Sequence, residues 1–240
     1  MSIMPDIDVY KKSTSGYETL QESRPDYTGA RNAFLKLASV YLNDKQSITL
    51  ADFCCGTGNN TKMLADRYSV SKAILVDINE DFLQIAKNAD INATRVETIY
   101  SDILKVNLKP EHDLVISMFA YHHVPDRDKK KFIDVVKNAL KNNGILLLGE
   151  IYSPDRPTTL AYYNHLLDHI PLDLNTPELQ KFLMQTAESD DFEYKVSREF
   201  AHKQLTQAGF QLLDEIKVWP MDETFNVDVG TFVEVWKLVQ

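Results

Sequence analysis

The chain has 240 residues, 44% hydrophobic and 25% charged, a balance that fits a globular protein with a sizeable core and excludes a disordered tail or a fibre. Lys plus Arg number 26 against 35 Asp plus Glu, and the formal net charge of -9 disfavours a nucleic-acid backbone as partner. The most basic stretch, 127–131, is broken by Asp128 and reads as a solvated helix start. Cys54 and Cys55 are adjacent, so they form neither a disulfide framework nor a Cys-x-x-Cys pattern. The first residues lack a basic segment followed by an apolar core. The longest apolar stretches, 114–121 and 145–148, fall far short of the roughly 20 residues of a membrane span. The expectation is a soluble cytoplasmic protein with no membrane or nucleic-acid partner; monomer and homodimer both stay open.

Residues 1–28 are polar and carry Tyr10, Tyr17, Tyr27 and Pro25, which predicts an N-terminal lid outside the core. Residues 29–42 place Ala30, Ala33, Phe34, Leu37, Ala38 and Tyr41 at helical spacing. A short apolar strand, 47–53, then runs into the turn Asp52-Phe53-Cys54-Cys55-Gly56-Thr57-Gly58, followed by a helix at 60–68. The alternation continues with strands at 72–77, 94–100, 113–118 and 144–151 and helices at 80–89 and 127–141. Such alternation predicts βαβ units and a parallel sheet. Beyond 152 the pattern turns helical, at 157–170, 176–187 and 197–208, before two closing strands at 211–218 and 231–238. The chain therefore divides as one domain: a lid (1–28), a core (29–151), a helical cap (152–196), and a closing helix with a hairpin (197–240).

Glycines at a strand-to-helix turn let the backbone approach a ligand, and the following helix offers free N–H groups. Asp77 lies 19 residues beyond Gly58, at the end of the next strand. From there a carboxylate accepts ribose hydroxyls, at about the 20-residue spacing of nucleoside-binding α/β folds. A dinucleotide site would place a third glycine at 61, where this chain has Thr61, and would have no use for the acidic Asp52. The expected ligand carries adenosine without a pyrophosphate, and a positive charge.

Asp52-x-Cys54-x-Gly56-x-Gly58 resembles the Asp/Glu-x-Gly-x-Gly-x-Gly motif of class I S-adenosylmethionine-dependent methyltransferases of the small-molecule type. Further matches run in the family's order: Asp77, Ser101-Asp102-Ile103, Asp113 to Ser117, and Tyr121-His122-His123-Val124-Pro125-Asp126. The resemblance covers roughly residues 47–151. It implies a Rossmann-like, seven-stranded, mostly parallel sheet of order 3-2-1-4-5-7-6 with helices on both faces and the last strand antiparallel. It also implies S-adenosylmethionine as cofactor, S-adenosylhomocysteine as product and a small molecule as methyl acceptor. The cofactor-binding residues it implies are Asp52, Cys54, Gly56, Gly58, Asp77, Ile78, Asp102, Ile103, Ser117 and Met118. Asp77 would meet the ribose and Asp102 the adenine. Cys54 departs from the family's first glycine, which bears on the surroundings of the sulfonium.

Methyl transfer is an in-line substitution governed by proximity, and it needs a base only where the acceptor must lose a proton. His123, just past the fourth strand, is either that base or a residue that caps a helix start. In phosphoethanolamine methyltransferases a histidine at this motif position works with a tyrosine of the N-terminal segment, a partner that Tyr17 or Tyr27 would supply here. His122 reads as structural. His165 and His169, four apart on a helix, have a metal-compatible spacing but no carboxylate cluster near them in sequence, so no metal is expected. They are expected to line the acceptor pocket with Tyr162, Tyr163, Phe182 and Met184. Two other readings are a SAM-using reaction other than methyl transfer, supported by Cys54 alone, and a non-catalytic SAM-binding module.

Overall fold

The computed structural model describes residues 21–42, 46–188 and 193–239. Its elements, in chain order, are α1 (Pro25–Tyr41), β1 (Ile48–Phe53), α2 (Asn59–Ala65), β2 (Val70–Asp77), α3 (Glu80–Asn88), β3 (Val96–Tyr100), β4 (His112–Met118), α4 (Lys129–Ala139) and β5 (Leu140–Tyr152). They are followed by α5 (Arg156–His169), α6 (Pro177–Glu188), α7 (Arg198–Gln207), β6 (Phe210–Trp219) and β7 (Gly230–Leu238).

The seven strands form one sheet in the order β3-β2-β1-β4-β5-β7-β6. β1, rich in apolar residues, pairs in parallel with β2 and β4 and sits inside the sheet, as its hydrophobic run predicts. β3 and β5 extend the parallel set, and β7 runs antiparallel to both of its neighbours. Alternate residues along each strand feed opposite faces. Leu50, Leu114, Ile116 and Leu147 pack with Phe34 and Leu37 of α1, Leu64 of α2 and Ala86 of α3. Ala51, Phe53, Val115, Leu146 and Leu148 pack with Phe132 and Val136 of α4 and Leu205 of α7. A third cluster joins Tyr162, Tyr163 and Leu166 of α5 to Leu179 and Leu183 of α6 and to Trp219.

Several element boundaries differ from the sequence expectation by two to four residues, most at the starts of α1 and β5. α1 begins at Pro25 instead of 29, so the last residues of the expected lid are its first turn. Proline suits that position because its missing N–H has no helical partner there. The Arg24 guanidinium also donates to both oxygens of Asp26, at 3.1 and 2.6 Å, anchoring the start internally. α4 stops at Ala139 and the chain enters a 13-residue β5 at once. Asn143 adopts φ 64, and the strand's register with β4 shifts between His112 and Leu114. A bulge thus absorbs the polar Asn142-Asn143-Gly144 stretch next to the helical pattern. Among the described residues, no helix is long and apolar enough to cross a membrane.

Candidate functional site

The carboxyl ends of β1, β2 and β4 meet where the strand order reverses, the place where open α/β sheets form a ligand crevice. β1 delivers the chain into a turn in which Cys54, Gly56 and Gly58 all have positive φ (58, 54 and 80°). The two glycines do different work. A Cβ on Gly56 would meet no atom within 4 Å, so this glycine faces open space and leaves the backbone approachable. A Cβ on Gly58 would come within 3.0 Å of Leu75 and 3.1 Å of Ala86, so this one lets α2 begin tight against β2 and α3.

Asp77, at the end of β2, braces the turn: its Oδ2 accepts from the Gly56 N–H (2.8 Å) and its Oδ1 from the Asn79 N–H (2.8 Å). Each oxygen keeps a second acceptor site. Asp52 is buried and accepts from the Thr61 hydroxyl at 2.7 Å. Burial, with repulsion from Asp77, pushes its carboxyl up to about 7 against the hydroxyl's opposing pull. Burial likewise raises the Cys54 thiol, and the charges of Asp77, Asp52 and Asp102 raise it further. Cys54 is therefore a protonated thiol surrounded by three carboxylates, poorly suited to act as a nucleophile. Asp102 follows β3 and accepts from the Leu104 N–H at 2.9 Å. Ile78 is half-buried, and Ile103 and Met118 are buried. The Ser117 hydroxyl, the Asn60 Oδ1 and the Asn79 Nδ2 are buried with no protein partner. Orphaned polar atoms of this kind call for a ligand or water.

Two of the expected catalytic residues, Tyr27 and His123, stand near the end of β4 beside this crevice. Past β4, Phe119 takes φ 56 and stacks on Tyr27 at 5.6 Å, which brings the first turn of α1 over the strand end. Tyr17 lies outside the described residues. His123 is half-buried, donates its N–H to the Ala120 carbonyl, and rests its ring against that of His122 (4.2 Å). His122 is buried: its N–H donates to Glu150 Oε2 (3.1 Å) and its Nδ1 contacts Glu150 Oε1. Burial holds this imidazole well below its usual range, and hence neutral at pH 7.

Sequence reasoning missed the buried charges behind these histidines. Lys129 is fully buried and donates to the Tyr121 and Val124 carbonyls at 2.9 Å each, and burial pulls its ammonium down to about 8. Lys195 pairs with Glu193 and donates to the Tyr163 hydroxyl (3.1 Å). The one visible signal is Glu150, a lone carboxylate in the apolar run of β5. Tyr162 and Tyr163 do not line an open pocket; they belong to the cap core, with the Tyr162 hydroxyl 2.9 Å from Asp26 and 2.7 Å from Thr231. Nor do His165 and His169 lack a carboxylate neighbour, because the β6–β7 connection brings Asp222 to 3.1 Å from His165.

Replacing Asp77 by alanine removes both the brace on Gly56 and the acceptor at the mouth of the crevice. Affinity for S-adenosylmethionine is expected to fall by about 2–3 kcal/mol, roughly 30- to 150-fold. Calorimetric titration checks this, and an unchanged dissociation constant would remove Asp77 from the site.

Residues 50–144 match the family described as Methyltransferase domain. A demethylmenaquinone methyltransferase of Chlamydia caviae is 33% identical over 130 residues, covering 53% of this chain and 55% of that protein. The chain thus spans about half the length of this curated relative. Among solved structures, the Burkholderia thailandensis 1,6-didemethyltoxoflavin-N1-methyltransferase, bound to 1,6-didemethyltoxoflavin and S-adenosylhomocysteine, has a TM-score of 0.63 at 12% identity, over 97% of this chain and 86% of that one. A complex of the Haloferax volcanii Trm112 methyltransferase activator with a methyltransferase gives 0.65 at 14% identity, over 100% and 98%. The motif residues and the strand order agree with these matches: residues 50–144 are similar to the methyltransferase domain family, and the sheet has the fold of the solved methyltransferases.

Proposed function

We propose that this protein transfers a methyl group from S-adenosylmethionine to a small-molecule acceptor. The observation that carries the reading is the convergence of Asp52, Asp77 and Asp102 on one left-handed turn, beside buried polar atoms that have no protein partner. Three carboxylates disfavour an anionic ligand and suit a cationic one. A nucleoside fits through the spare acceptor sites of Asp77 and the open face of Gly56. When bound, S-adenosylmethionine supplies a methyl group activated on a sulfonium. Asp77 holds the ribose hydroxyls, Asp102 faces the adenine amino group, and Asp52 balances the positive charge. His123 takes the acceptor's proton at a ring nitrogen where the acceptor has one to lose, and Tyr27, held on Phe119, borders the same opening.

The protonated state of Cys54 speaks against its acting as a nucleophile in a different reaction. The intact turn speaks against a degraded, binding-only site. The net charge of -9 and the Ser117-Met118-Phe119-Ala120 sequence at the end of β4 favour a metabolite over a nucleic acid. A cytoplasmic location rests on cysteine usage, two adjacent free thiols in place of a disulfide framework. Incubation with methyl-labelled S-adenosylmethionine and a metabolite extract, read by mass spectrometry, should give S-adenosylhomocysteine together with one labelled acceptor. Cofactor consumption without label transfer would mean another chemistry, and tight binding without consumption would mean a binding module.

Residues 1–20 lie outside the described residues, so the lid rests on the sequence; with the cap it is proposed to cover the acceptor and exclude water. Because Arg24 and Asp26 are buried parts of α1 and its start, the informative truncation removes residues 1–20 and spares the helix. This variant is expected to fold and to bind cofactor but to lose turnover at least tenfold. Turnover at the full rate would show that the segment is no lid.

A further inference from the structure

The described residues contain three clusters of histidine and carboxylate close enough to share a metal ion. Two of them already enclose a protein cation. In the first, His122, His123 and Glu193, the Glu193 carboxylate is paired with Lys195 and His122 is bound to Glu150. In the second, His202, Glu215 and Glu234, the Arg198 guanidinium pairs with both glutamates. The third, His165 and His169 of α5 with Asp222 of the β6–β7 connection, encloses none. Among the described residues Asp222 forms its ion pair with His165 and none with lysine or arginine. The neighbouring Lys217 ammonium donates to the Asn226 carbonyl (3.3 Å).

We propose that His165, His169 and Asp222 form a binding site for a first-row transition-metal ion of the zinc type, clamping the cap helix α5 to the closing hairpin. The two histidines are one helical turn apart, and their rings lie 4.3 Å apart on one face of α5. His169 Nδ1 sits 2.8 Å from the His165 carbonyl oxygen, which can only accept. Nδ1 therefore carries the proton and Nε2 presents its lone pair, the arrangement that orients a metal-binding imidazole. Asp222 is held in the same way, its Oδ1 accepting from the Thr224 N–H (3.0 Å) while Oδ2 faces His165 Nε2 at 3.1 Å. Bonds of about 2.0–2.2 Å in a tetrahedral site set ligand atoms roughly 3.3–3.5 Å apart, and one ring nitrogen of each histidine and one Asp222 oxygen lie within 4.8 Å of one another. Trp219 and Phe225 wall His165, with ring centroids at 5.0 and 5.5 Å, and restrict its swing. Two imidazoles and one carboxylate select zinc, nickel or copper over magnesium or calcium, which prefer oxygen ligands. Three protein ligands leave a fourth position for water.

The test uses the full chain, freed of metal by dialysis against chelator and titrated with zinc chloride in a calorimeter. One ion per chain is expected, and cobalt chloride should give the intense visible absorption of a tetrahedral site. His169→Ala and Asp222→Asn, both altered at exposed side chains, should each weaken zinc binding at least tenfold with circular dichroism unchanged. His202→Ala, which disrupts the second cluster, should leave zinc binding intact. No saturable binding at about 100 µM zinc, or binding unchanged in His169→Ala, would overturn the site and leave the His165–Asp222 contact as a plain hydrogen bond.

Discussion

Asp52→Asn is expected to stabilise the cofactor-free protein at pH 8 while weakening its hold on S-adenosylmethionine. The Asp52 carboxyl is 1% exposed, has one hydroxyl donor in Thr61, and is repelled by Asp77. Burial pushes it from 3.8 to about 7. An acid whose folded pKa is raised keeps a proton that the unfolded chain releases. Stability therefore falls as pH climbs from about 4 to 7, and above 7 the full penalty remains. A rise of that size corresponds to about 4 kcal/mol, an upper figure. Asparagine cannot ionise and still accepts from Thr61, so the variant should melt several degrees higher at pH 8 and close to wild type at pH 4. The cofactor's positive charge favours the ionised carboxylate, so wild-type affinity should rise between pH 6 and 8. The substitution should cost roughly tenfold or more in S-adenosylmethionine affinity and less in that of S-adenosylhomocysteine, which lacks the sulfonium. Equal losses for the two ligands, or a variant less stable at pH 8, would show that Asp52 stays charged and serves structure alone.

Asp26→Ala is expected to destabilise the fold by about 3–5 kcal/mol, the range for leaving one member of a buried ion pair alone. Asp26 is fully buried, binds the Arg24 guanidinium through both oxygens, and receives the Tyr162 hydroxyl at 2.9 Å. Tyr162 in turn meets Thr231 of β7. One carboxylate thus ties α1 to the cap helix and to the sheet. Its removal strands a buried guanidinium and loosens both segments proposed to cover the acceptor. Urea melts of Asp26→Ala and of the double variant Arg24→Met/Asp26→Leu separate charge from packing. The double variant should recover most of the loss, because it buries no unpaired charge. If Asp26→Ala unfolds at the wild-type midpoint, water reaches the pair and the tie is weak.

Most of the sheet is legible in the amino-acid sequence. The apolar runs of β1, β2, β4 and β5 are separated by helices with one greasy face, a pattern that admits few alternatives to a parallel sheet. The closing strand order and the antiparallel β7 follow from family resemblance, and the observed order matches them. Helical spacing starts α1 four residues late, because its anchor is a pair of charged side chains, Arg24 and Asp26, in a stretch that reads as solvated. It also runs α4 too far, because Leu140 continues the helix's apolar face while pairing with His112 of β4. Spacing alone cannot separate those two fates.

Periodicity and spacing are local properties, and they determine the strand–helix alternation, the glycine turn and the distance from Gly58 to Asp77. Which charges are buried, and against what, belongs to the tertiary structure. His122 meets Glu150 across 28 residues, His165 meets Asp222 across 57, and Tyr162 meets Asp26 across 136. No local pattern encodes such separations. The same holds for protonation. Asp52 and Asp77 are both aspartates at strand ends, and burial raises both: at Asp52 it carries the carboxyl to about 7 against the donors of Thr61, and at Asp77 it acts against the N–H groups of Asn79, Gly56 and Ile78. A carboxylate's charge depends on the water it loses and the donors it gains, and only the folded chain sets both.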